Sequence, residues 1–395
     1  MHPPLRIAVI TTIYRYLSHA QHFSDRILVG YPQAGRWHRP NARIVSLYVD
    51  QHPEGDQSVD RAREFGFGVY PTVAEALRCG GERLAVDAVL IIGEHGGYPT
   101  NEIGQVLYPR YEFFKECVRV FEEDGCAVPV FNDKHLSYSF VKAKEMVEDG
   151  RRLGFPLLAG SSLPVTWRLP DIELPLGCAL EDALMVGVGL PSDHMDFHAL
   201  EAMQCMVERR QGGETGVRAV ELLDGDSVWQ AGDAGRWSWE LLESALSRSD
   251  TPRGLSEEDG RTQDLIGSGE LRRWVEKPAA YLIEYNDGFR ATLLMLDGAI
   301  KDYCFAARIQ GAPDPVSTQF FLPPIPNVSY SACLVAKIEE MWLTGRAPYP
   351  VERTLLVSGM LESCLMSRHT SSARLETPHL AVAYAPPIEP QHARS

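Results

Sequence analysis

The sequence predicts an α/β fold in two parts: a doubly wound parallel sheet over residues 1–168 and an α+β domain with a largely antiparallel open sheet over residues 169–395. Two observations carry the first part. Short apolar runs alternate with longer segments of helical period, and glycines stand where those helical segments should end. One observation carries the second: past Arg168 strand-like segments follow one another, and Asn286-Asp287-Gly288 separates two of them as a hairpin turn does.

The predicted strands of the first part are residues 6–11 (RIAVIT), 43–49 (RIVSLYV), 87–93 (DAVLIIG), 128–131 (VPVF) and 156–159 (PLLA). Helices are expected over 58–66, 73–80, 108–125 and 138–154, closed by Gly66, Gly80, Gly125 and Gly154. In such a sheet ligands bind beyond the C-terminal strand ends, so candidate site residues are sought there. In the second part, strands are expected over 183–188, 218–223, 280–285 and 289–296, with a helix carrying His198 and Glu201. The aromatic segments 229–239 and Phe320-Phe321 read as core or oligomer surface rather than as a cofactor box.

Composition narrows the function. A hydrophobic share of 45% with 23% charged residues is that of a globular chain. The net charge of −15 argues against a nucleic-acid partner, which needs clustered Lys and Arg. A small polar substrate fits better. The 8 cysteines show no Cys-x-x-Cys spacing and read as reduced thiols. No apolar run approaches the ~18 residues of a membrane span, and the opening residues run directly into a strand, so a cytoplasmic location is expected.

A dinucleotide-binding sheet of this kind carries Gly-x-Gly-x-x-Gly after its first strand, which lets the backbone approach the diphosphate. Here that place reads Thr11-Thr12-Ile13-Tyr14-Arg15-Tyr16, with no glycine. The side chains of Ile13 and Tyr16 would fill the volume a diphosphate requires, while Arg15 remains a phosphate-binding candidate. Asp50 ends the second strand where a ribose-binding carboxylate belongs, although an Asp after a strand is often a turn residue.

Two further strings carry a family resemblance: Val130-Phe131-Asn132-Asp133-Lys134-His135-Leu136, and His194-Met195-Asp196-Phe197-His198-Ala199-Leu200-Glu201. With the two-part layout, and with Pro350-Val351-Glu352 and Thr377-Pro378-His379 near the end, they make the whole chain resemble the Gfo/Idh/MocA-like oxidoreductases. The resemblance implies a Rossmann-like domain followed by an α+β domain whose open sheet pairs subunits into a homo-oligomer. It places the family's Glu-Lys-Pro motif on Asp133-Lys134-His135, and its Asp-x-Gly-x-His-x-x-Asp signature on residues 194–201. Lys134 and His198 thereby inherit the catalytic lysine and histidine. NAD(P) is the implied cofactor, although its glycine fingerprint is absent.

The departures from the family sit at strand ends. A Thr-Pro-Asn type turn is replaced by Gly93-Glu94-His95-Gly96-Gly97-Tyr98, a proline by His135 and an aspartate by His194. Each change adds a metal-capable side chain, so Glu94, His95, Asp133, His135, His194 and Glu201 form a candidate set for a divalent metal, zinc or manganese. The spacings 194/198 and 198/201 suit one helix face. Against this stands the commoner fate of a loop histidine, which is exposed or hydrogen-bonded. His19 and His22, early in the first helix, are weaker candidates. Arg168, Ser161, Ser162 and Tyr98 are candidate substrate contacts, with Ser161-Ser162 equally readable as a turn cap.

Two enzyme readings follow. The first is a metal-dependent, nicotinamide-independent enzyme acting on a small polar substrate by acid/base chemistry, of lyase, isomerase or hydrolase type. The alternative is an NAD(P)-dependent oxidoreductase acting on a sugar or cyclitol hydroxyl, with His198 taking the hydroxyl proton and Lys134 orienting it. A ligand-binding protein with a silent site is a third.

Overall fold

The structure, a computed structural model, describes residues 3–189, 192–193, 195–325 and 328–394. Strand β1 (Leu5–Thr11) lies at the centre of the first sheet, and Ile7, Ala8, Val9 and Ile10 are buried on both faces. That is why its sequence is a continuous apolar run rather than an alternating one. β2 (Ala42–Val49) and β3 (Gly68–Tyr70) lie to one side; β4 (Ala88–Ile92), β5 (Val130–Asp133) and β6 (Leu157–Gly160) lie to the other. All five pairings are parallel, in the order β3-β2-β1-β4-β5-β6. The order reverses at β1, so a crevice opens beyond the ends of β1 and β4.

The crossovers are α1 (His19–Val29), α2 (Ser58–Phe65) with α3 (Val73–Arg78), α4 (Arg110–Asp124) and α5 (Phe140–Leu153). Ser18 caps α1 by accepting from the amide of Gln21. Helices α2, α4 and α5 end at Gly66, Gly125 and Gly154 in the left-handed conformation, whereas α3 ends one residue early, at Cys79. The hairpin Tyr31–Gln33 with Arg36–His38 and the short strand β3 lie outside the sequence expectation. Runs of three residues carry too little pattern to announce themselves.

The second sheet has eight strands: β7 (Trp167–Leu169), β8 (Leu180–Gly187), β9 (Val217–Asp224), β10 (Ala279–Tyr285), β11 (Arg290–Met295), β12 (Tyr303–Ile309), β13 (Val316–Phe321) and β14 (Leu375–Glu376). Its order is β14-β9-β10-β11-β8-β12-β13-β7, antiparallel except for β8 with β11. Gly288 closes the β10–β11 hairpin at φ 86, donating its amide to Tyr285.

Helix α6 (Met195–Val207) and the long α8 (Val351–His369) fill the space between the two sheets, and one core runs through both. Helix α7 (Tyr330–Thr344) packs beside α1 on the opposite face of the first sheet. Trp229 and Trp237 lie buried in a third cluster against the outer face of the second sheet. Among the described residues no helix is long and apolar enough to cross a membrane.

Candidate active site

The ends of β4, β5 and β6, the start of α1, and α6 enclose a cleft of about 380 Å³. Asp133 and Lys134 sit at its floor, both almost fully buried. Lys134 leaves β5 with φ 67, and His95, just past β4, with φ 69. Two non-glycine residues in the left-handed region at one cleft mark a backbone held there by its surroundings. The amide of Lys134 donates to the carbonyl of Gly160, which fixes the turn.

Each of the two consecutive side chains on that floor holds one imidazole. Asp133 Oδ2 lies 2.7 Å from His19 Nδ1, and Lys134 Nζ lies 2.6 Å from His198 Nε2. The lysine charge is balanced by Glu94, 3.8 Å away, which is itself held by Arg110 from the first turn of α4. Burial pushes the Glu94 carboxyl up, but Lys134 and Arg110 outweigh it and hold the group ionised, well below the usual carboxylate range. His22 and His95 complete a ring of histidines, their centroids 5.9 and 5.3 Å from that of His19. Burial lowers His22 to about 3 and His95 to about 4, so both are neutral at physiological pH.

Of the residues expected from sequence, Glu94, His95, Asp133, Lys134, His198, Ser161 and Ser162 line this cleft. Others do not. His135 is turned into the protein against Arg110 and the ring of Phe197. Glu201 lies behind β6, accepting from the Ser161 amide at 2.7 Å and from Thr354 Oγ1 at 2.9 Å. Gly160 is glycine for that reason, since a Cβ there would come within 2.3 Å of Glu201 Oε1. Arg168 bonds Glu173 and the carbonyl of Ile172 rather than facing the cleft. Tyr98 donates to Asp50 at 2.6 Å, outside the cleft. His194 lies outside the described residues.

Among the described residues the proposed metal set is thus not assembled. Asp133 and Glu94 are each spent on a partner within the protein, while His135 and Glu201 point elsewhere. Among the described residues no group of three or more His, Cys, Asp or Glu side chains is arranged to hold a metal ion. Sequence reasoning missed Arg110, whose pairing with Glu94 leaves no mark on the chain, and Lys301, Tyr303 and Tyr330, which reach the cleft from the second half. A second cavity of about 420 Å³ lies between the 31–38 hairpin and α7. Its buried Glu339 already holds Tyr31 and His38 at 3.0 and 2.7 Å.

The turn after β1 is stitched to its neighbours. The carbonyls of Thr11, Thr12 and Tyr14 accept from the amides of Asp50, Gln51 and Gln57, and the amides of Thr12, Arg15 and Leu17 are likewise bonded within the protein. Ile13 and Tyr14 are buried, and Arg15 is exposed. Asp50 holds the hydroxyls of both Tyr48 and Tyr98. These residues do not fit a dinucleotide diphosphate as a glycine turn does: three amides of the turn are already engaged, and side chains stand where glycines would leave the backbone open.

No family model and no curated protein matches the sequence. Solved structures do match the fold over nearly the whole chain. The myo-inositol dehydrogenase of Lactobacillus casei, in complex with NAD(H) and myo-inositol, is 10% identical with a TM-score of 0.57, covering 94% of this chain and 96% of its own. GenD2 from gentamicin A biosynthesis, in complex with NAD, is 14% identical with a TM-score of 0.58, covering 95% and 97%. The myo-inositol 2-dehydrogenase of Lactobacillus plantarum is 12% identical with a TM-score of 0.54, covering 94% and 99%. The fold is that of the Gfo/Idh/MocA-type inositol dehydrogenases and related NAD-dependent dehydrogenases. This overturns the expectation of a metal-dependent, nicotinamide-independent lyase, isomerase or hydrolase: the reported structures that share the fold are dehydrogenases, two of the three in complex with NAD or NAD(H), and among the described residues the metal ligands do not converge.

Proposed function

We propose that this chain is an oxidoreductase of the NAD(P)-linked kind, acting on a hydroxyl group of a sugar or cyclitol. The observation that carries the reading is the Lys134–His198 contact of 2.6 Å, in a cleft at the C-terminal strand ends of a fold shared with inositol dehydrogenases. Lysine has only donors, so the shared hydrogen bond makes His198 Nε2 the acceptor. A substrate hydroxyl entering between them receives a hydrogen bond from Lys134 Nζ and gives its proton to His198 Nε2. Glu94, 3.8 Å from Lys134 Nζ, holds the lysine head in place.

A nicotinamide supplies a hydride acceptor when bound, and the turn after β1 does not fit its diphosphate as it stands; no step is assigned to that turn. Titrating NADH and NADPH against the intrinsic tryptophan fluorescence tests the redox partner directly. Saturable quenching by either supports the reading. Silence for both counts against a nicotinamide-linked enzyme.

A further inference from the structure

Two consecutive residues at the end of β5 each orient an imidazole, and the proposed chemistry uses only one of them. The unused one is His19, held through Nδ1 by the buried carboxylate of Asp133 at 2.7 Å. A carboxylate accepts, so His19 donates from Nδ1, and its Nε2 is an acceptor in the neutral ring. His19 lies in the first turn of α1 and His198 on α6, and both line the same cleft.

The surroundings of His19 point to the kind of ligand it meets. His22 Nε2 and His95 Nδ1 are buried atoms with no hydrogen-bond partner in the protein, and both residues line the cleft beside His19. Buried polar atoms left in this way are expected to be met by a ligand or by water. Both imidazoles are kept neutral by burial, and the two carboxylates of the cleft, Glu94 and Asp133, are already paired. An anionic ligand would face two carboxylates, and could be met only by the one N–H that each neutral imidazole carries. A hydroxyl both donates and accepts, and suits each neutral imidazole in turn.

We propose that the Asp133–His19 pair is a second substrate-binding arm of this cleft, which grips a second hydroxyl of the molecule that reacts. Within the proposed substrate class, this arm selects a neutral molecule with at least two hydroxyls over a simple alcohol, a sugar acid or a sugar phosphate. The inference rests on the oxidoreductase reading, because it takes Lys134–His198 as the place of the reacting hydroxyl.

The test is isothermal titration of the full-length protein, with and without NAD+, using myo-inositol, a panel of neutral sugars, and cyclohexanol as the ring with one hydroxyl. The wild type is expected to bind at least one polyol of the panel and to prefer it clearly over cyclohexanol. His19→Ala should weaken that polyol about tenfold, the loss of one well-placed hydrogen bond with its partner left unmet, and leave cyclohexanol unchanged. His19→Gln, which keeps an acceptor on a side chain of similar reach, should recover part of the affinity, and Asp133→Asn should fall between. Thermal melts alongside show whether each variant is folded, and the Gln and Asn variants carry the test should His19→Ala not fold. Unchanged polyol affinity in folded His19 variants overturns the second arm and leaves the oxidoreductase reading standing. A wild type that binds no sugar or cyclitol of the panel overturns both.

Discussion

The end of β5 and the turn after β1 lie at the same edge of one sheet, and they are built on opposite plans. At β5 two buried charged side chains reach outward, each holding an imidazole that belongs to another element. At β1 much of the polar backbone is bonded to the loops on either side, and Ile13 and Tyr14 are buried beside it. The first region is poised to receive a ligand; the second is already satisfied. A strand end becomes a candidate site, then, when charged side chains held there face an open cleft.

The sharpest way to break this comparison is to remove the poised pair. His198→Ala or Lys134→Met should lower turnover of the responsive polyol by about 10²–10⁴-fold, the range for losing positioned proton transfer, with little change in melting temperature. Steady-state kinetics on the same substrate decides it, and near-wild-type turnover in either variant removes the pair from the chemistry. Next in size is Gly160→Ala, which forces a Cβ against Glu201 at a φ of 125. It should cost roughly 2–4 kcal/mol of stability, from backbone strain together with overpacking, read by denaturant unfolding.

Glu201 sharpens the contrast through pH. Burial raises its carboxyl to about 7 from the ordinary 4.5, so the folded state favours the protonated form. Its contribution to stability is complete below 4.5 and is lost as pH rises through about 7. Glu201→Gln cannot ionise, so its stability relative to wild type should improve across that window by roughly 1–3 kcal/mol. Melting temperatures measured across the window test this, and a flat difference refutes it. The smallest effect is expected at the closed region. Tyr98→Phe frees one oxygen of Asp50 and should tighten NADH or NADPH by about fivefold, one hydrogen bond's worth. Unchanged affinity would mean that this contact does not restrict the groove.

Strands β1, β2, β4, β5 and β6 were legible within a residue or two because buried parallel strands are unbroken apolar runs, and the helices because glycine ends most of them. The placement of Lys134 and His198 at one cleft was legible from the strings around them. What the sequence concealed was direction. Asp133, Lys134 and His135 are neighbours in the chain, yet two face the cleft and the third faces Phe197, because side chains at a strand end turn to different sides. A metal set counted along the chain therefore did not become a metal set in space. The His19–Asp133 contact joins residues 114 positions apart, and Glu94–Arg110 joins a loop to a helix start. Neither leaves a periodic trace.

The most direct test of the account is a spectrophotometric screen for reduction of NAD+ and NADP+ by wild-type protein over a panel of cyclitols and neutral sugars, with Lys134→Met run in parallel. Reduction with at least one polyol of the panel, abolished in the variant, is the expected result. No reduction with any member, or equal rates in both proteins, would contradict it.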